Sequence, residues 1–252
     1  MSQQQVTEHT SQRCRNPAEH YELDGDLYDY FEQPNPVEAD LWQRLRTAAV
    51  LSLDIEDGMH IADVGSGGGW FSKMMQNINV RITSIDLSFK NLLRLTKETG
   101  SGGLLANANA IPLANESVDA VIASEVIEHL NEPDIAIAEF VRIIKPGGRV
   151  VITTPYKENI KQHLCIHCNK LTPANAHLHS FDEDRLIKMF SHGGAHEIYY
   201  RRIGNKAFIV SRLSYLLRWL PFSIWSFIDR CVNIIIKKPA HIIVCGIKQG
   251  IE

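Results

Sequence analysis

The sequence predicts an α/β protein with a mostly parallel β-sheet, and three features of the chain carry this prediction. Residues 61–64 form a short apolar run, which is followed by a glycine cluster at 65–69 and by a helical pattern that begins at Trp70. Residues 81–86 form a second strand-like segment that ends in a carboxylate. Strand-like and helix-like segments then alternate as far as residue 153. An alternation of this kind gives a parallel sheet with right-handed crossovers.

The glycine cluster lies where the first strand turns into a helix. Glycine is required where the backbone adopts a positive φ or where a ligand lies directly against it. The free N–H groups at the start of the helix then face any anion in the turn. Asp86 ends the next strand, and an acid at this position of a nucleotide-binding βαβ unit accepts hydrogen bonds from ribose hydroxyls. The unit is therefore predicted to bind a ribonucleoside that carries an anionic group.

Two common nucleotide motifs do not match the turn. The dinucleotide fingerprint G-x-G-x-x-G needs a small third residue for close packing of helix and strand, but Trp70 stands there after Gly65 and Gly67. A phosphate-binding P-loop would close with Gly-Lys-Ser or Gly-Lys-Thr, which residues 68–70 do not provide. NAD and a P-loop phosphate therefore fit this turn poorly.

The motif that does match is acid-x-G-x-G-x-G, formed by Asp63, Gly65, Gly67 and Gly69. It resembles the first motif of the class I S-adenosylmethionine (SAM)-dependent methyltransferases. In that family the turn faces the methionine part of SAM, and an acid placed like Asp86 holds the ribose. The resemblance thus implies SAM as the cofactor.

The resemblance extends along the chain to residue 156. Residues 104–113 resemble the stretch after the third strand of type-11 methyltransferases, in which an aspartate bonds the adenine amino group and a neighbouring amide reaches the ring. Asn107 stands in place of that aspartate, and its amide oxygen can accept from the same amine. The patterns E-x-x-E-H-L at 125–130 and R-x-x-K-P-G-G at 142–148 closely match the same superfamily. The cofactor-binding residues that the resemblance implies are Asp63, Gly65, Ser66, Gly67, Asp86, Leu87, Asn107, Ala108 and Glu125.

The implied fold is a Rossmann-like, seven-stranded, mostly parallel sheet. Its fourth strand covers residues 117–124, and the segments 197–203 and 241–247 would form an antiparallel hairpin at the sheet edge. The helix predicted at 37–53 should cover one face of the sheet. A helical insertion that is both apolar and basic, residues 205–238, precedes the last strand.

The composition is that of an ordinary globular domain. The chain has 252 residues, of which 44% are hydrophobic and 22% charged, so it can bury a sizeable core. A net charge of −3 argues against a mainly electrostatic nucleic-acid binder. The polar N-terminus without a signal-peptide pattern and the odd number of five cysteines favour a reduced, cytoplasmic setting. Residues 1–20 are expected to be a disordered arm and residues 21–252 the methyltransferase domain.

Two segments expected near the cleft each have two interpretations. Residues 21–31 are aromatic and acidic, and they form either a loop whose rings pack on the domain or a lid over the cofactor, with a ring near the sulfonium. Residues 157–180 form a lid loop rich in Cys and His. In this loop Cys165 and Cys168 would join two histidines in a tetrahedral zinc site, or they are reduced cysteines in a substrate-binding loop.

The insertion at 205–238 also has two interpretations. Its longest uncharged run, Trp219–Ile228, is far shorter than the roughly 20 residues that span a bilayer. The insertion is either a pair of core-capping helices or an apolar, basic-rimmed surface that contacts a membrane or a greasy substrate. Residues 201–252 carry nine Lys and Arg against the two acids Asp229 and Glu252, a bias that suits anionic lipid.

A group of acids and a histidine follows the fourth strand, at the end where parallel sheets place their ligands. Glu125, Glu128 and His129 share one face of a short helix or turn and can ligate a divalent metal, Mg or Zn, that polarises a hydroxyl oxygen. Ubiquinone-pathway O-methyltransferases and small-RNA 2′-O-methyltransferases share such an E-x-x-E-H site, and a later histidine completes it in the RNA enzymes. His179, in an H-x-F-x-x-x-R context ending at Arg185, has that spacing. Without metal, His129 would act as a general base or shape the pocket.

The activity implied is transfer of the SAM methyl group to an oxygen of an apolar small molecule, such as a quinone-, lipid- or polyketide-like compound. The first choice for the general base or metal ligand is His129, followed by His163 and Tyr156. One alternative is metal-assisted methylation of an RNA 2′-hydroxyl, which the negative net charge disfavours. Another is a membrane-associated binding protein that has lost catalysis. The expected location is the cytoplasm, with peripheral contact at the inner membrane face through the insertion.

Overall fold

Seven strands form one sheet in the computed structural model, which describes residues 16–32, 36–164, 169–210 and 217–250. The strands of this sheet are β1 (His60–Val64), β2 (Arg81–Asp86), β3 (Gly102–Leu105), β4 (Val118–Ser124), β5 (Ile144–Pro155), β8 (Ala195–Asn205) and β9 (Pro239–Lys248). Two short strands, β6 (Gln162–Leu164) and β7 (Leu171–Pro173), pair with each other outside the sheet.

The strand order is β3-β2-β1-β4-β5-β9-β8. The first five strands run parallel, whereas β9 pairs antiparallel with both β5 and β8. The predicted seven-stranded, mostly parallel sheet with an antiparallel hairpin at one edge is therefore confirmed. The chain adds strands outwards from β1 to β3 and then returns to place β4 on the other side of β1. A reversal of this kind opens a crevice beyond the carboxyl ends of the two neighbouring strands.

Helices cover both faces of the sheet. They are α1 (Pro17–Leu27), α2 (Pro36–Leu53), α3 (Trp70–Met74), α4 (Phe89–Thr99), α5 (Pro133–Ile143), α6 (Glu183–His192), α7 (Lys206–Val210) and α8 (Phe222–Ile235). Side chains alternate along β1: Ile61 belongs to the core layer that contains Leu45 of α2, and Ala62 to the layer that contains Phe140 of α5. Because both faces of the parallel strands are covered, these strands are apolar throughout.

The N-terminal segment differs from the sequence prediction. Helix α1 begins at Pro17, so residues 17–20 of the expected arm are helical, and residues 1–15 lie outside the described part of the chain. Asn16 caps the helix by accepting a hydrogen bond from the Glu19 N–H, and proline suits the first turn because its missing N–H would be unpaired there. Most of the aromatic and acidic segment is thus a helix rather than a loop.

Two further segments refine the prediction. Strand β5 begins at Ile144 and so includes residues 145–148 of the R-x-x-K-P-G-G pattern. The insertion contains α7 and α8 on either side of residues 211–216, which lie outside the described residues. Within the part of the chain that is described, no helix is both long and apolar enough to cross a membrane.

The glycine turn between β1 and α3 has the backbone conformation that its sequence predicts. Gly65, Gly67 and Gly69 have φ values of 67°, 46° and 69°, in the left-handed region that other residues rarely adopt. A Cβ atom on Gly65 would overlap the side chain of Val126, and one on Gly69 would overlap that of Leu95. Backbone angle and close packing therefore both require glycine in this turn.

Replacing Gly69 by alanine should destabilise the fold more than the same change at Gly100. Both residues have left-handed backbone, with φ values of 69° and 74°, but only Gly69 lies against another side chain. The left-handed strain alone should cost about 1–2 kcal/mol in each variant. The overlap with Leu95 should add about 1–3 kcal/mol in G69A. Urea unfolding of both variants measures the difference, and equal losses would contradict the packing of α4 against the turn.

Candidate active site

A cleft of about 160 Å³ lies at the carboxyl ends of β1, β2 and β4, where the order of the strands reverses. Its walls come from the glycine turn, the tips of these strands, the segment after β3, and helix α1 with the turn that follows it. The lining residues are Tyr21, Asp24, Tyr30, Val64, Gly65, Gly67, Ile85, Asp86, Leu87, Asn91, Ala106, Ala108, Glu125, Val126, His129 and Leu130. Most of the predicted cofactor-binding residues therefore share one cleft.

Asp86 joins the tip of β2 to the glycine turn. One of its carboxylate oxygens accepts a hydrogen bond from the Gly67 N–H at 2.8 Å, and the other accepts from the Ser88 N–H at 2.9 Å. Burial raises the pKa of this carboxyl, and the N–H donors of Ser88, Gly67 and Leu87 oppose that rise. A carboxylate offers about four acceptor positions, so the three N–H donors do not use all of them and the carboxylate can still accept from a ligand hydroxyl.

The segment after β3 presents small side chains to the cleft. Ala106 and Ala108 line it, whereas Asn107 between them does not. The Asn107 side-chain oxygen accepts a hydrogen bond from the Asn109 N–H at 2.9 Å and so closes a local turn. The structure therefore gives Asn107 a role in shaping the wall rather than a place in it.

Asp63 and Ser66 lie beneath the cleft rather than in its lining. Their side chains are buried, and neither Asp63 Oδ2 nor Ser66 Oγ has a partner among the described residues. Burial, and then the negative charge of Asp86, raise the pKa of Asp63 to about 7. Asp63 therefore places a buried carboxyl, with one oxygen that has no partner among the described residues, below the turn.

Helix α1 and the turn after it cover the glycine turn. Tyr21, Asp24 and Tyr30 line the cleft, and the Tyr30 hydroxyl donates a hydrogen bond to Asp24. A Cβ atom on Gly68 would overlap the carbonyl of Tyr30, so the backbone of this segment lies directly on the turn. Residues 21–31 thus lie where a lid over the cofactor would lie.

The residues after β4 connect the cleft to the far half of the sheet. Glu125 has a left-handed backbone with φ of 56°, a conformation that non-glycine residues adopt mainly where function or packing demands it. Its Oε1 accepts from the Thr153 hydroxyl at 2.8 Å, and its Oε2 lies 3.4 Å from His241 Nε2. Glu125 thus meets both β5 and β9.

Glu128 is buried and His129 is half-buried. Glu128 Oε2 accepts from the Thr154 hydroxyl at 3.1 Å, and its Oε1 has no partner among the described residues. Burial, and then the negative charge of Glu125, raise the pKa of Glu128 well above its usual range. Burial, and then the nearby His177, lower the pKa of His129 to about 4. At neutral pH His129 is therefore a neutral imidazole.

The histidine that joins this pair is His177, not His179. Ligand atoms of Glu128, His129 and His177 all lie within 4.8 Å of one another, and His177 Nδ1 is 2.5 Å from Glu158 Oε2. His179 points elsewhere, with its Nδ1 3.4 Å from an Arg185 nitrogen. Of the four predicted ligands, the cluster contains Glu128 and His129 but neither Glu125 nor His179. The backbone N–H groups of Leu178 and His179 both donate to the Glu128 carbonyl, and this pairing fixes which histidine faces the cluster.

The structure does not bring the other predicted catalytic residues to the cleft. His163 is exposed on β6. Tyr156 is buried at the end of β5, where its hydroxyl bonds with Glu183. The predicted zinc site cannot be placed, since Cys165 and Cys168 lie outside the described residues.

A second cavity, of about 520 Å³, adjoins the cleft. Its lining is mostly apolar, with His241 and Asn175 among its polar members. The lining residues are Tyr28, Leu41, Trp42, Leu45, Asn175, Ile203, Gly204, Ile209, Trp225, Ala240 and His241. The cavity meets the cleft where His241 contacts Glu125 and where the rings of Tyr28 and Tyr30 lie 5.6 Å apart. We refer to it as the distal cavity. It could not be predicted from the sequence, because its walls come from segments that lie far apart in the chain.

Comparison with known proteins gives matches to methyltransferases. A family model described as a methyltransferase domain matches residues 62–152. The demethylmenaquinone methyltransferase of Renibacterium salmoninarum is 32% identical over 113 residues, which are 44% of this chain and 46% of that protein. The ubiquinone biosynthesis O-methyltransferase of Parvibaculum lavamentivorans is 28% identical over 130 residues, 48% of this chain and 51% of that protein. The chain thus spans about half the length of the curated relatives it matches.

The fold is shared more widely. The crystal structure of the [4+2]-cyclase SpnF covers 92% of this chain and 95% of its own, with a TM-score of 0.61 and 16% identity. At this identity the likeness shows the fold alone, and one fold hosts several chemistries.

The glycine turn, Asp86 and the motif after β4 lie in the segment that matches the methyltransferase domain model. These matches support a class I SAM-dependent methyltransferase of the type-11 family. The matched segment, residues 62–152, contains the cleft side of the sheet. The insertion and the last two strands, which build much of the distal cavity, lie beyond it.

Replacing Asp86 by alanine should weaken SAM binding at least tenfold. The change removes the acceptor for ribose hydroxyls and the anchor of Gly67, and a hydrogen bond to a charged group contributes about 1.5–3 kcal/mol. Isothermal titration calorimetry measures the affinity. Asp26→Ala is the matched control, because Asp26 is an acid on α1 that does not line the cleft. Unchanged affinity in D86A would contradict this placement of the ribose.

Replacing Asp63 by asparagine should stabilise the protein increasingly as pH rises. The folded-state pKa of about 7 lies above the ordinary value of 3.8, so the folded protein retains a proton that the unfolded chain has released. Wild-type stability therefore falls between pH 4 and 7, whereas asparagine does not titrate. The difference should reach roughly 2–4 kcal/mol above pH 7. Denaturant unfolding from pH 4 to 8 measures it, and parallel pH profiles would contradict the unpaired carboxyl.

Proposed function

We propose that this protein transfers the methyl group of SAM to an oxygen atom of an apolar, quinone-, lipid- or polyketide-like small molecule. The observation that carries the proposal is the contact between the cofactor cleft and the distal cavity at Glu125 and His241. A cofactor in the cleft and an apolar acceptor in the distal cavity would meet at this contact.

The cleft fits the nucleoside part of SAM. Asp86 retains acceptor capacity for the ribose, and the glycine turn lets a ligand approach the backbone, since its glycines have no side chain in the way. Ala106 and Ala108 leave room for a flat ring, and Leu87 adds an apolar contact. When bound, SAM supplies a methyl group that is already activated on its sulfonium.

The distal cavity fits an apolar acceptor with one polar end. Trp42, Leu41, Ile209 and Trp225 provide apolar and aromatic surface, while His241 lies at the end nearest the cleft. Pockets of this type bind a ligand by its apolar body and orient it through a few polar groups. We infer that the acceptor's oxygen lies near His241 and the rest of the molecule extends towards Ile209 and Trp225.

The protein's part in the reaction is alignment, exclusion of water and handling of a proton. Methyl transfer is an in-line displacement, so holding the two reactants in line supplies much of the rate. His129 lines the cleft as a neutral imidazole that can accept the proton of the attacking hydroxyl, although a pKa of about 4 makes it a weak base. Tyr21 and Tyr30 cover the cleft from the α1 side and keep water out.

A divalent metal is compatible with the buried cluster. Glu128 Oε1 and His129 Nδ1 have no partner among the described residues. A ring nitrogen of His177 lies within 4.8 Å of the ligand atoms of both side chains, close enough for all three to hold one ion. Glu128, His129 and His177 would hold the ion, and Glu158 would orient His177. A bound Zn²⁺ or Mg²⁺ would polarise the acceptor oxygen and lower its pKa.

Two kinds of relative support an oxygen acceptor, since they are named ubiquinone biosynthesis O-methyltransferase and malonyl-[acyl-carrier protein] O-methyltransferase. The match named for demethylmenaquinone supports a quinone-like acceptor without naming the atom. An acceptor of quinone or lipid type resides in membranes, so peripheral contact through residues 205–238 is part of the proposal. RNA 2′-O-methylation and a binding role without catalysis remain as alternatives that the same experiment separates.

Radiolabelled SAM tests the proposal with three separate acceptor pools: prenylated catechols and quinols, acyl lipids, and total RNA. We expect label in an apolar small-molecule pool, and a reduced yield after treatment with a metal chelator if the cluster holds an ion. Label in RNA alone would favour the nucleic-acid alternative. SAM binding without label in any pool would favour the binding protein.

The variant Trp42→Ala links that activity to the distal cavity. Removing this wall should raise the KM for the apolar acceptor about tenfold, since a buried aromatic side chain contributes a few kcal/mol of contact, and should leave SAM affinity unchanged. Trp70→Ala is the matched control, because Trp70 is also partly buried but lines neither cavity. Equal KM values in the two variants would contradict the assignment of the acceptor site.

A further inference from the structure

Helix α8 packs on the domain with its polar side inward. Its buried residues are Trp225, Ser226, Asp229 and Asn233, so three of the four are polar. Each of these polar residues has a partner on β8: Ser226 accepts from Arg201, Asp229 accepts from the Gly204 N–H, and Asn233 accepts from Asn205. In an ordinary surface helix the apolar side faces the core instead.

The outward side of the same helix is apolar. Ile224 is 50% exposed, Phe227 70%, Ile234 69% and Ile235 79%. These positions recur at the spacing that places residues on one face of a helix. Just before the helix, Trp219 is 79% exposed. We call these five side chains the α8 apolar surface.

Basic residues flank the α8 apolar surface. Arg230 on the helix and Lys237 and Lys238 just after it are exposed. The acid of this region, Asp229, is buried against β8, and no other acid occurs from residue 217 to 250. The surface is therefore apolar at its centre and positive at its edge.

The α8 apolar surface lies next to the distal cavity. Trp225, on the inner side of the helix, lines that cavity together with Ile209 of α7. A compound that partitions into a membrane under the outer side of α8 would therefore be close to the cavity wall.

We propose that the α8 apolar surface docks on an anionic membrane, with Phe227, Ile234 and Ile235 entering the acyl boundary and Arg230, Lys237 and Lys238 contacting lipid phosphates. Charge complementarity selects this occupant, because an apolar centre with a purely basic edge matches the chemistry of an anionic leaflet. The inference deepens the membrane part of the proposed function, but it does not depend on methyl transfer.

Vesicle co-sedimentation tests the docking with the full chain. The two vesicle types are phosphatidylcholine alone and equal parts of phosphatidylcholine and phosphatidylglycerol. We expect the protein to bind the mixed vesicles at least tenfold more tightly, and raised salt to reduce this binding. Phe227→Ser with Ile235→Ser should weaken binding to the mixed vesicles at least tenfold, because both side chains are exposed in the free protein.

A second variant separates the charge contribution. Arg230→Gln, Lys237→Gln and Lys238→Gln together should weaken binding to the mixed vesicles about a hundredfold, at about fivefold for each charge, and leave binding to phosphatidylcholine unchanged. Ile135→Ser is the matched control, since Ile135 is a half-exposed isoleucine on α5 that should not affect binding. An equal loss in I135S would overturn the proposal.

Two other outcomes would also overturn it. One is absence of binding of the wild-type protein to either vesicle. The other is a wild-type dimer in light scattering that the Phe227/Ile235 variant converts to monomer without any vesicle binding, which would assign the surface to a second copy of the chain. The variant D86A should bind vesicles like the wild type, so loss of cofactor binding and loss of docking are measured separately.

Discussion

The hydrogen bond from the Gly67 N–H to Asp86 is the contact on which the rest of the site depends. It holds the loop after β1 against the tip of β2. Burial raises the pKa of the Asp86 carboxyl, and this hydrogen bond opposes the rise and orients the carboxylate as an acceptor. The fold places this contact at the point where the strand order reverses, so the cleft opens directly above it. Gly65, Gly67 and Gly69 of the turn all have left-handed backbone, and side chains at Gly65 and Gly69 would also occupy the space of neighbouring residues.

From this contact the site extends across the sheet in two stages. Glu125 ends β4 at the edge of the cleft and reaches His241 on β9, where the distal cavity begins. Glu128 and His129, which follow β4, form a polar cluster with His177. Burial raises the pKa of Glu128 and lowers that of His129, so both of these side chains favour the neutral form. Helix α8 closes the far wall of the distal cavity with Trp225 and turns its apolar side outward. The cleft, the distal cavity and the proposed membrane surface therefore follow one another across the molecule.

Features encoded locally were predictable from the sequence, and features decided by tertiary contact were not. The parallel α/β alternation, the glycine turn and Asp86 follow from period, turn chemistry and spacing within residues 61–156. The antiparallel hairpin at the sheet edge was expected from the family resemblance alone. Which histidine joins Glu128 depends on the pairing of a distant loop with the Glu128 carbonyl, and two histidines stand two residues apart in that loop. The inward side of α8 likewise depends on partners on β8, which composition cannot reveal.

The most direct test of this placement of the cofactor is a crystal structure of the protein with S-adenosylhomocysteine. We expect both ribose hydroxyls to lie within hydrogen-bond distance of Asp86 and the sulfur to point towards the contact between Glu125 and His241. A ligand absent from the glycine turn, or an Asp86 side chain directed away from the ribose, would contradict this placement and leave only an α/β scaffold.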